Sequence, residues 1–271
     1  MNDLELAYST IADKRARYDI LYQYEENRQP VRYVTERMAE VFGTSVARFA
    51  QNWCKVVVQS ALDRLVLLGW NSKAAKVNQA IDAIFDAYGL EVDAEDIHRD
   101  ALITGEGYLM IWPTDNGLDI YRNDPRMIHL FYDPARPKIK RFAAKIYMGA
   151  DEHQVIKLYY PDRIETYRAA NAGLVSSAGA FVKNAEDDAN PTGVIPVFRF
   201  SAAASQLQDA LPLQDAINKL FTDLMVVSEF GAFKQRYIIT NADVSVLKNS
   251  PNIIWSIPAG DGTGQGTQVG E

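Results

Sequence analysis

The chain has 271 residues, of which 48% are hydrophobic and 23% are charged, so its composition is that of an ordinary folded protein. The formal net charge of −7 argues against a conventional DNA-gripping domain, because such domains carry clustered cations that displace phosphate counterions. No apolar stretch approaches the roughly 18 residues of a membrane span, and the N-terminus has neither a basic nor an apolar signal region. The single cysteine, Cys54, excludes an intrachain disulfide and a cysteine zinc cluster. We therefore expect a protein that folds in the cytoplasm, with no membrane segment.

The first third of the sequence has helical spacing of its apolar residues. Proline at the start of a segment and glycine at its end mark several helix boundaries. The predicted helices are residues 4–25 (one helix or two short ones), Pro30–Gly43, a third from Thr44 or Ser45 to about Leu68, Ser72–Gly89, and one from Asp93 to Gly105.

From Gly107 the apolar period changes to two, and β-branched and aromatic residues alternate with turn residues. This pattern predicts a largely antiparallel sheet. The predicted strands are residues 107–112, 118–122, 127–133, 139–148, 155–160, 164–169 and 194–200. Residues 171–190 are rich in Ala, Gly, Ser and Asp, which predicts a loop or a hairpin flap.

A long helix is predicted from about Asp209 to Phe233, roughly 37 Å in length. Its apolar residues alternate four and three apart, which is the spacing of a seam that packs lengthwise on another helix. The members of this seam are Leu213, Ile217, Leu220, Leu224 and Val227. Asp215, Lys219 and Asp223 form a charged ladder on another face. Strand-like runs at 236–240 and 252–257 and a glycine-rich tail follow, so the fold class is α+β: a helical N-terminal region, a mainly antiparallel sheet and one long stem-like helix.

No string in the sequence predicts a catalytic residue, a cofactor or a metal site. His98-Arg99-Asp100 is similar to a kinase catalytic loop, but the companion motifs are missing and the triplet lies in a helical pattern. The alternating glycines at 260–266 precede no helix and are typical of a linker. The three histidines are scattered, and the acids at 91–96 are those that a helix N-terminus favours.

Several short strings occur in a definite order along the chain. They are Asn52-Trp53-Cys54-Lys55 with Leu62-Asp63-Arg64-Leu65 and Gly69-Trp70; 98–109; Asp124-Pro125; Tyr132-Asp133-Pro134; 158–162; 193–200; 213–220; and 228–236. In this order they resemble the portal proteins of long-tailed phages (siphophages), in the branch common in actinobacterial phages and prophages. Two departures concern the loop at 201–209, which lacks an expected glycine and glutamate, and Lys234, which stands where proline is usual.

The resemblance implies a structural ring subunit, not an enzyme. Such a subunit forms a homo-oligomeric, dodecameric ring at one capsid vertex, the channel through which double-stranded DNA is packaged and ejected without sequence specificity. It contacts the terminase motor, the head-to-tail adaptor and the major capsid or scaffolding protein. It belongs to the virion and is assembled in the host cytoplasm.

The resemblance also implies a domain plan. Residues 1–106 would be the helical part of the portal wing, 107–200 its β-rich part, 201–236 the stem-like helix, and 237–271 the start of a clip-like region and a flexible tail. Family members are longer, which predicts a C-terminal truncation that removes a second long helix, the channel loop and the crown. Lys219, Asp223, Lys234 and Arg236 are candidates to face DNA or a neighbouring subunit.

Two other classes of protein remain open. A head-completion adaptor would be smaller and would lack the long seam helix. A small-molecule enzyme of α+β type would need a convergent polar pocket, which the sequence does not indicate.

Overall fold

The structure is a computed structural model that describes residues 2–29, 51–67, 72–114, 117–232, 237–239 and 268–270. The chain divides into two compact units. The first consists of residues 1–30 and 51–214, and the second of residues 31–50 and 215–271. Among the described residues, no helix combines the length and the apolarity that crossing a membrane requires. The α+β class predicted from the sequence is confirmed.

Helix α1 (Asp3–Glu25) is a single helix, which settles the choice between one helix and two short ones. It begins with a capping box, in which the Asn2 side chain accepts from the Glu5 amide at 2.8 Å and the Glu5 carboxylate accepts from the Asn2 amide at 3.1 Å. Both orphan amides at the helix start are therefore satisfied.

Helix α2 (Trp53–Leu62) corrects part of the prediction of one helix from Thr44 or Ser45 to about Leu68, because residues 51–52 and 63–67 are not helical. Residues 44–50 and Leu68 lie outside the described residues. The Asn52 side chain caps it by accepting from the Lys55 amide at 2.9 Å and also donates to the Glu25 carbonyl at 2.7 Å. The helix ends at Leu62 because the apolar residues that follow, Leu65 to Leu67, are exposed and gain no burial from helical continuation.

Helices α3 (Ala75–Tyr88) and α4 (Leu90–Thr104) meet at Gly89, whose φ of 61° ends the first helix and starts the second. The predicted caps were wrong. Ser72 makes a local turn with Ala74 and Asn78, so α3 starts three residues later, and Asp93 lies inside α4. The predicted glycine ends at Gly89 and Gly105 are confirmed, and both glycines have the left-handed conformation that favours this residue.

The strands form two antiparallel sheets in the first unit. The strands are β1 (Glu106–Thr114), β2 (Gly117–Asn123), β3 (Ile128–Asp133), β4 (Arg136–Met148), β5 (His153–Tyr159), β6 (Arg163–Ala172), β7 (Phe181–Lys183), β8 (Asp188–Ala189) and β9 (Val197–Ser201). One sheet has the order β2-β1-β9, and the other has the order β3-β4-β5-β6-β7, with β8 also paired to β6. The antiparallel prediction is confirmed for seven strands, and the predicted loop at 171–190 contains two further short strands.

Three apolar clusters fill the first unit, and α1 contributes to two of them. Its first half packs Ala7 and Ile11 on the larger sheet, and its second half packs Tyr18 and Leu21 with α2 and α4. The third cluster lies between the two sheets. Cys54 is fully buried in the α2–α4 cluster, as predicted for a small hydrophobic residue.

Helix α5 (Ala210–Ala232) confirms the predicted long helix, and its residues up to Gln214 belong to the first unit. In the second unit, β10 (Tyr237–Ile239) pairs antiparallel with β11 (Gln268–Gly270), a strand at the end of the predicted tail. The predicted helix at 30–43 and the strand-like run at 252–257 lie outside the described residues.

Candidate functional site

A buried carboxylate at the start of β1 collects donors from three elements, α1, β1 and β9. Glu106 is 5% exposed and accepts from the Lys14 ammonium, the Tyr18 hydroxyl and the Tyr108 hydroxyl, the last at 2.7 Å. The Arg199 guanidinium lies 3.7 Å from the same carboxylate. We call this set, together with the neighbouring His129, the Glu106 junction. Its members are Lys14, Tyr18, Glu106, Tyr108, His129 and Arg199.

His129 completes the Glu106 junction as a neutral side chain. Its Nδ1 lies 2.8 Å from Lys14 Nζ and 2.9 Å from the Tyr108 hydroxyl. Burial, with the nearby Lys14 charge, lowers the pKa of His129 to about 4. At neutral pH this ring therefore accepts from Lys14 and adds no charge.

The other ionisable groups of the junction respond to the same surroundings. Burial lowers the pKa of Lys14, although the Glu106 carboxylate acts against the shift. Burial would raise the pKa of Glu106, but Lys14 and the hydroxyl donors outweigh it and hold that pKa below its usual range. The carboxylate is thus ionised and occupied by donors, so it fixes α1 to β1, β3 and β9 and is not a free general base.

A second ionic junction holds α4 against β2 and α1. Asp100 is fully buried and accepts from Arg122 Nε at 2.6 Å and Nη2 at 2.7 Å, and from the Tyr22 hydroxyl at 2.6 Å. Burial raises the pKa of Asp100, and the hydrogen bonds from Arg122 and Tyr22 act against it. We call these three residues the Asp100 junction.

The Asp100 junction explains the kinase-like string. His98 meets the edge of the Phe200 ring, with the centroids 6.4 Å apart, and Arg99 pairs with Glu95 and Glu25 at 3.3 and 3.5 Å. His98, Arg99 and Asp100 therefore make contacts with different partners. His98 contacts β9 and Asp100 contacts β2 and α1, whereas Arg99 contacts α1 through Glu25 and its own helix through Glu95.

The start of α5 is attached to α2 by a glutamine that the sequence analysis missed. Gln214 is 1% exposed; its Oε1 accepts from the Trp53 amide at 2.7 Å, and its Nε2 donates to the Gln51 carbonyl at 2.6 Å. One side chain therefore satisfies a backbone donor and a backbone acceptor at the start of α2.

The candidate residues of α5 are exposed. Lys219 forms an i,i+4 ion pair with Asp223 at 2.9 Å, and both side chains are about half exposed. Lys234 and Arg236 lie outside the described residues. The seam residues Leu213, Ile217, Leu220, Leu224 and Val227 are exposed as well. The structure thus places Lys219 beside Asp223 and leaves the roles of all these residues as predictions.

The residues of both junctions were not predicted, because several of their contacts join residues that lie 78 to 115 positions apart in the sequence. One feature of the sequence does indicate the Glu106 junction. Lys14 falls three residues after Ile11 and four before Tyr18, so it occupies the apolar face of α1. A charge on a core-facing position calls for a buried partner, although the sequence does not say which.

Within the part of the chain that the structure describes, no group of His, Cys, Asp and Glu side chains is arranged to hold a metal ion. The ionic groups described above tie helices to sheets within an α+β fold that also carries a long helix, α5.

The family profile described as "Phage portal protein, SPP1 Gp6-like" matches residues 10–270. The chain belongs to this family of phage portal proteins, and it is a structural protein of the virion. The portal family predicted from the ordered strings is confirmed, whereas the actinobacterial branch and the truncation stay predictions. None of the curated proteins compared with the chain matches it.

Proposed function

We propose that this chain is the ring subunit of a phage portal vertex, forming the channel for DNA packaging and ejection. The observation that carries the proposal is the family match over residues 10–270. The ring is dodecameric, and it docks the terminase motor during filling and the head-to-tail adaptor afterwards. It contacts the major capsid or scaffolding protein, assembles in the host cytoplasm and remains at the vertex of the virion.

The charge of the chain supports a conduit that adheres weakly to DNA. Each cation that pairs with a phosphate releases counterions and strengthens binding, which would hinder sliding. The formal net charge is −7, and Lys219 on α5 is already paired with Asp223. A paired lysine offers DNA less attraction than a free one, so this surface guides DNA without holding it.

The exposed seam of α5 supports a subunit contact. Leu220, Leu224 and Val227 are 68%, 63% and 67% exposed, although their spacing is that of a packed helix. Exposed apolar stripes of this kind mark interaction surfaces. We assign the seam to packing against the wing or a neighbouring stem helix, with residues 1–200 as the wing and 201–236 as the stem.

Native mass spectrometry and negative-stain imaging of the full-length protein test the ring. We expect closed rings of a single subunit number. A full-length protein that stays monomeric at assembly concentrations would refute the proposal.

The role of Lys219 is tested by Lys219→Glu, with Lys183→Glu as the matched control. Lys183 also forms an exposed i,i+4 pair with an aspartate at 2.9 Å, on β7 of the first unit. We expect Lys219→Glu to reduce ring yield or packaged DNA, because it places like charges beside Asp223 and the phosphates. If both variants match the wild type in ring yield and DNA content, Lys219 does not face DNA or a neighbour.

A further inference from the structure

An apolar cavity of about 380 Å³ lies among α3, α4 and the sheet β2-β1-β9. Its walls include Ile84, Phe85, Ala94, Ile111 and Phe200, and Asp93 and His98 are the only polar side chains among the described residues that line it. An apolar cavity of about 150 Å³ already accepts a benzene-sized group. This cavity therefore has room for at least one branched aliphatic side chain.

The surroundings of the cavity are acidic. Asp82 and Asp86 are exposed on α3, directly after the lining residues Ile81 and Phe85, and Glu91 is exposed in the first turn of α4. Residues 72–98 carry six carboxylates against two lysines. An occupant that buries an apolar group here gains by carrying cations beside it.

The hairpin between β3 and β4 has the opposite character. Asp133 Oδ1 accepts from the Ala135 amide at 2.9 Å, and Asp133 Oδ2 accepts twice from Arg136, at 3.0 and 2.8 Å, which closes the turn. Residues 136–141 of β4 lie beyond the pairing with β5, which begins at Ala143. A tip that is already ordered loses little entropy on docking.

We call residues 133–140 the tip of the hairpin. Here the pairing of β4 with β3 is irregular, and one apolar residue of β4 stands between two cations. Ile139 is 45% exposed and stands between Lys138 and Lys140. Over the stretches that the structure describes, neither lysine has a carboxylate partner within ion-pair distance. The Lys140 ammonium donates to the Val197 carbonyl at 2.7 Å and lies over the Phe198 ring, so its position is fixed.

We propose that the β3–β4 hairpin of one copy docks into the cavity of the next copy, with Ile139 entering the cavity and Lys138 facing Asp82, Asp86 and Glu91. The two surfaces are complementary in polarity and in charge, and both belong to the first compact unit. Because they are different patches of one molecule, the contact is head-to-tail, and contacts of this type form a ring when the rotation between successive copies closes. This inference rests on the proposed ring function and names one of its subunit contacts.

Cross-linking tests the contact. Ile139→Cys combined with Ala94→Cys places one thiol on the tip and one in the cavity wall, and a disulfide forms only when the Cα atoms approach within about 7 Å. Cys54 is buried and leaves the background low. After mild oxidation of the full-length protein, we expect a non-reducing gel to show a ladder that extends beyond dimers. Each single variant should give no ladder.

A second measurement does not depend on cysteine chemistry. Ile139→Ser should weaken association of the subunits about tenfold, because the contact loses the aliphatic side chain that the neighbour's cavity would bury. Met148→Ser is the matched control, since Met148 lies at the other end of β4 and is 44% exposed. Lys138→Glu should weaken association too, and Glu91→Lys in the same chain should restore part of it.

The outcomes separate this inference from the proposed function. If Ile139→Ser forms rings like those of the wild type, and the double-cysteine variant gives no ladder, the hairpin contact is overturned and the portal ring remains. A disulfide within one chain, or cross-linking that stops at dimers, would also overturn the head-to-tail contact. A wild-type protein that forms no oligomer would overturn the ring and this contact together.

Discussion

Arg122→Met tests the Asp100 junction. The variant keeps aliphatic length but removes both guanidinium hydrogen bonds to a carboxylate that is fully buried. Removing one partner of a buried ion pair costs about 3–5 kcal/mol, because the other charge stays buried. Asp100 can avoid this cost by binding a proton. Above its ordinary pKa of 3.8, protonation costs about 1.4 kcal/mol per pH unit, which is about 5 kcal/mol at pH 7.5 and about 1.6 kcal/mol at pH 5.

The pH dependence has a definite sign. Burial raises the pKa of Asp100 in the folded protein, and loss of Arg122 raises it further. A carboxyl group whose folded pKa lies above its unfolded pKa stabilises the fold most at low pH, and that contribution is lost as the pH rises. The difference in free energy of unfolding between the wild type and Arg122→Met should therefore shrink by about 3 kcal/mol between pH 7.5 and pH 5.

Urea unfolding followed by circular dichroism at both pH values measures this deficit. Arg136→Met is the control, because Arg136 also donates two hydrogen bonds to one carboxylate, both to Asp133 Oδ2 on the exposed hairpin, and its loss should leave the free energy of unfolding nearly unchanged. Arg122→Lys, which keeps the charge without the paired hydrogen bonds, should fall between the wild type and Arg122→Met. Equal losses in Arg122→Met and Arg136→Met, or a deficit that grows toward pH 5, would refute the reasoning.

Three further predictions concern the fold. Gly107→Ala places a Cβ against the backbone oxygen of Ile97, so thermal melts should show a loss of at least about 1–3 kcal/mol, whereas Gly179→Ala, whose nearest neighbour is Ser177 Oγ at 4.0 Å, should melt like the wild type. The pKa of His129 is about 4 in the folded protein against an ordinary 6.5, so the free energy of unfolding of the wild type should fall as the pH falls from 6.5 to 4. His129→Gln should lose less over the same range. Equal pH dependence of the two proteins would contradict a buried neutral ring. Asn52→Ala removes the α2 cap and should lower the free energy of urea unfolding by about 1 kcal/mol, with the exposed Asn171→Ala unchanged.

The sequence predicted what depends on local periodicity. The change of period at Gly107 located β1, and the turn residues after it separated the strands that the structure contains. Glycine ends were predicted well because Gly89 and Gly105 adopt a conformation that other residues avoid. The N-terminal ends were predicted poorly, since several polar residues in a row can each cap a helix and tertiary contacts choose among them. Asn52 became a cap because its side chain also reaches the Glu25 carbonyl.

The candidate site was less predictable for a physical reason. Lys14, Glu106 and His129 come together only after α1 has packed on both sheets, and no local pattern encodes that meeting. The family strings indicated a portal protein without indicating which side chains hold it together. Conversely, the seam of α5 was predicted from spacing alone, and because its residues are exposed, its role in packing stays a prediction.

The Glu106 junction lies where α1 passes from one apolar cluster to the next. Ala7 and Ile11 precede Lys14 and pack on the larger sheet, whereas Tyr18 and Leu21 follow it and pack with α2 and α4. Apolar contacts alone would tolerate a shift of the helix along its axis, since they are not directional. Hydrogen bonds from Lys14 and Tyr18 to one buried carboxylate tolerate no such shift. The junction therefore fixes the position of α1 relative to both sheets. In the proposed ring contact, a neighbour's hairpin would enter a cavity against the sheet β2-β1-β9, and the two ionic junctions tie α1 and α4 to strands of that sheet.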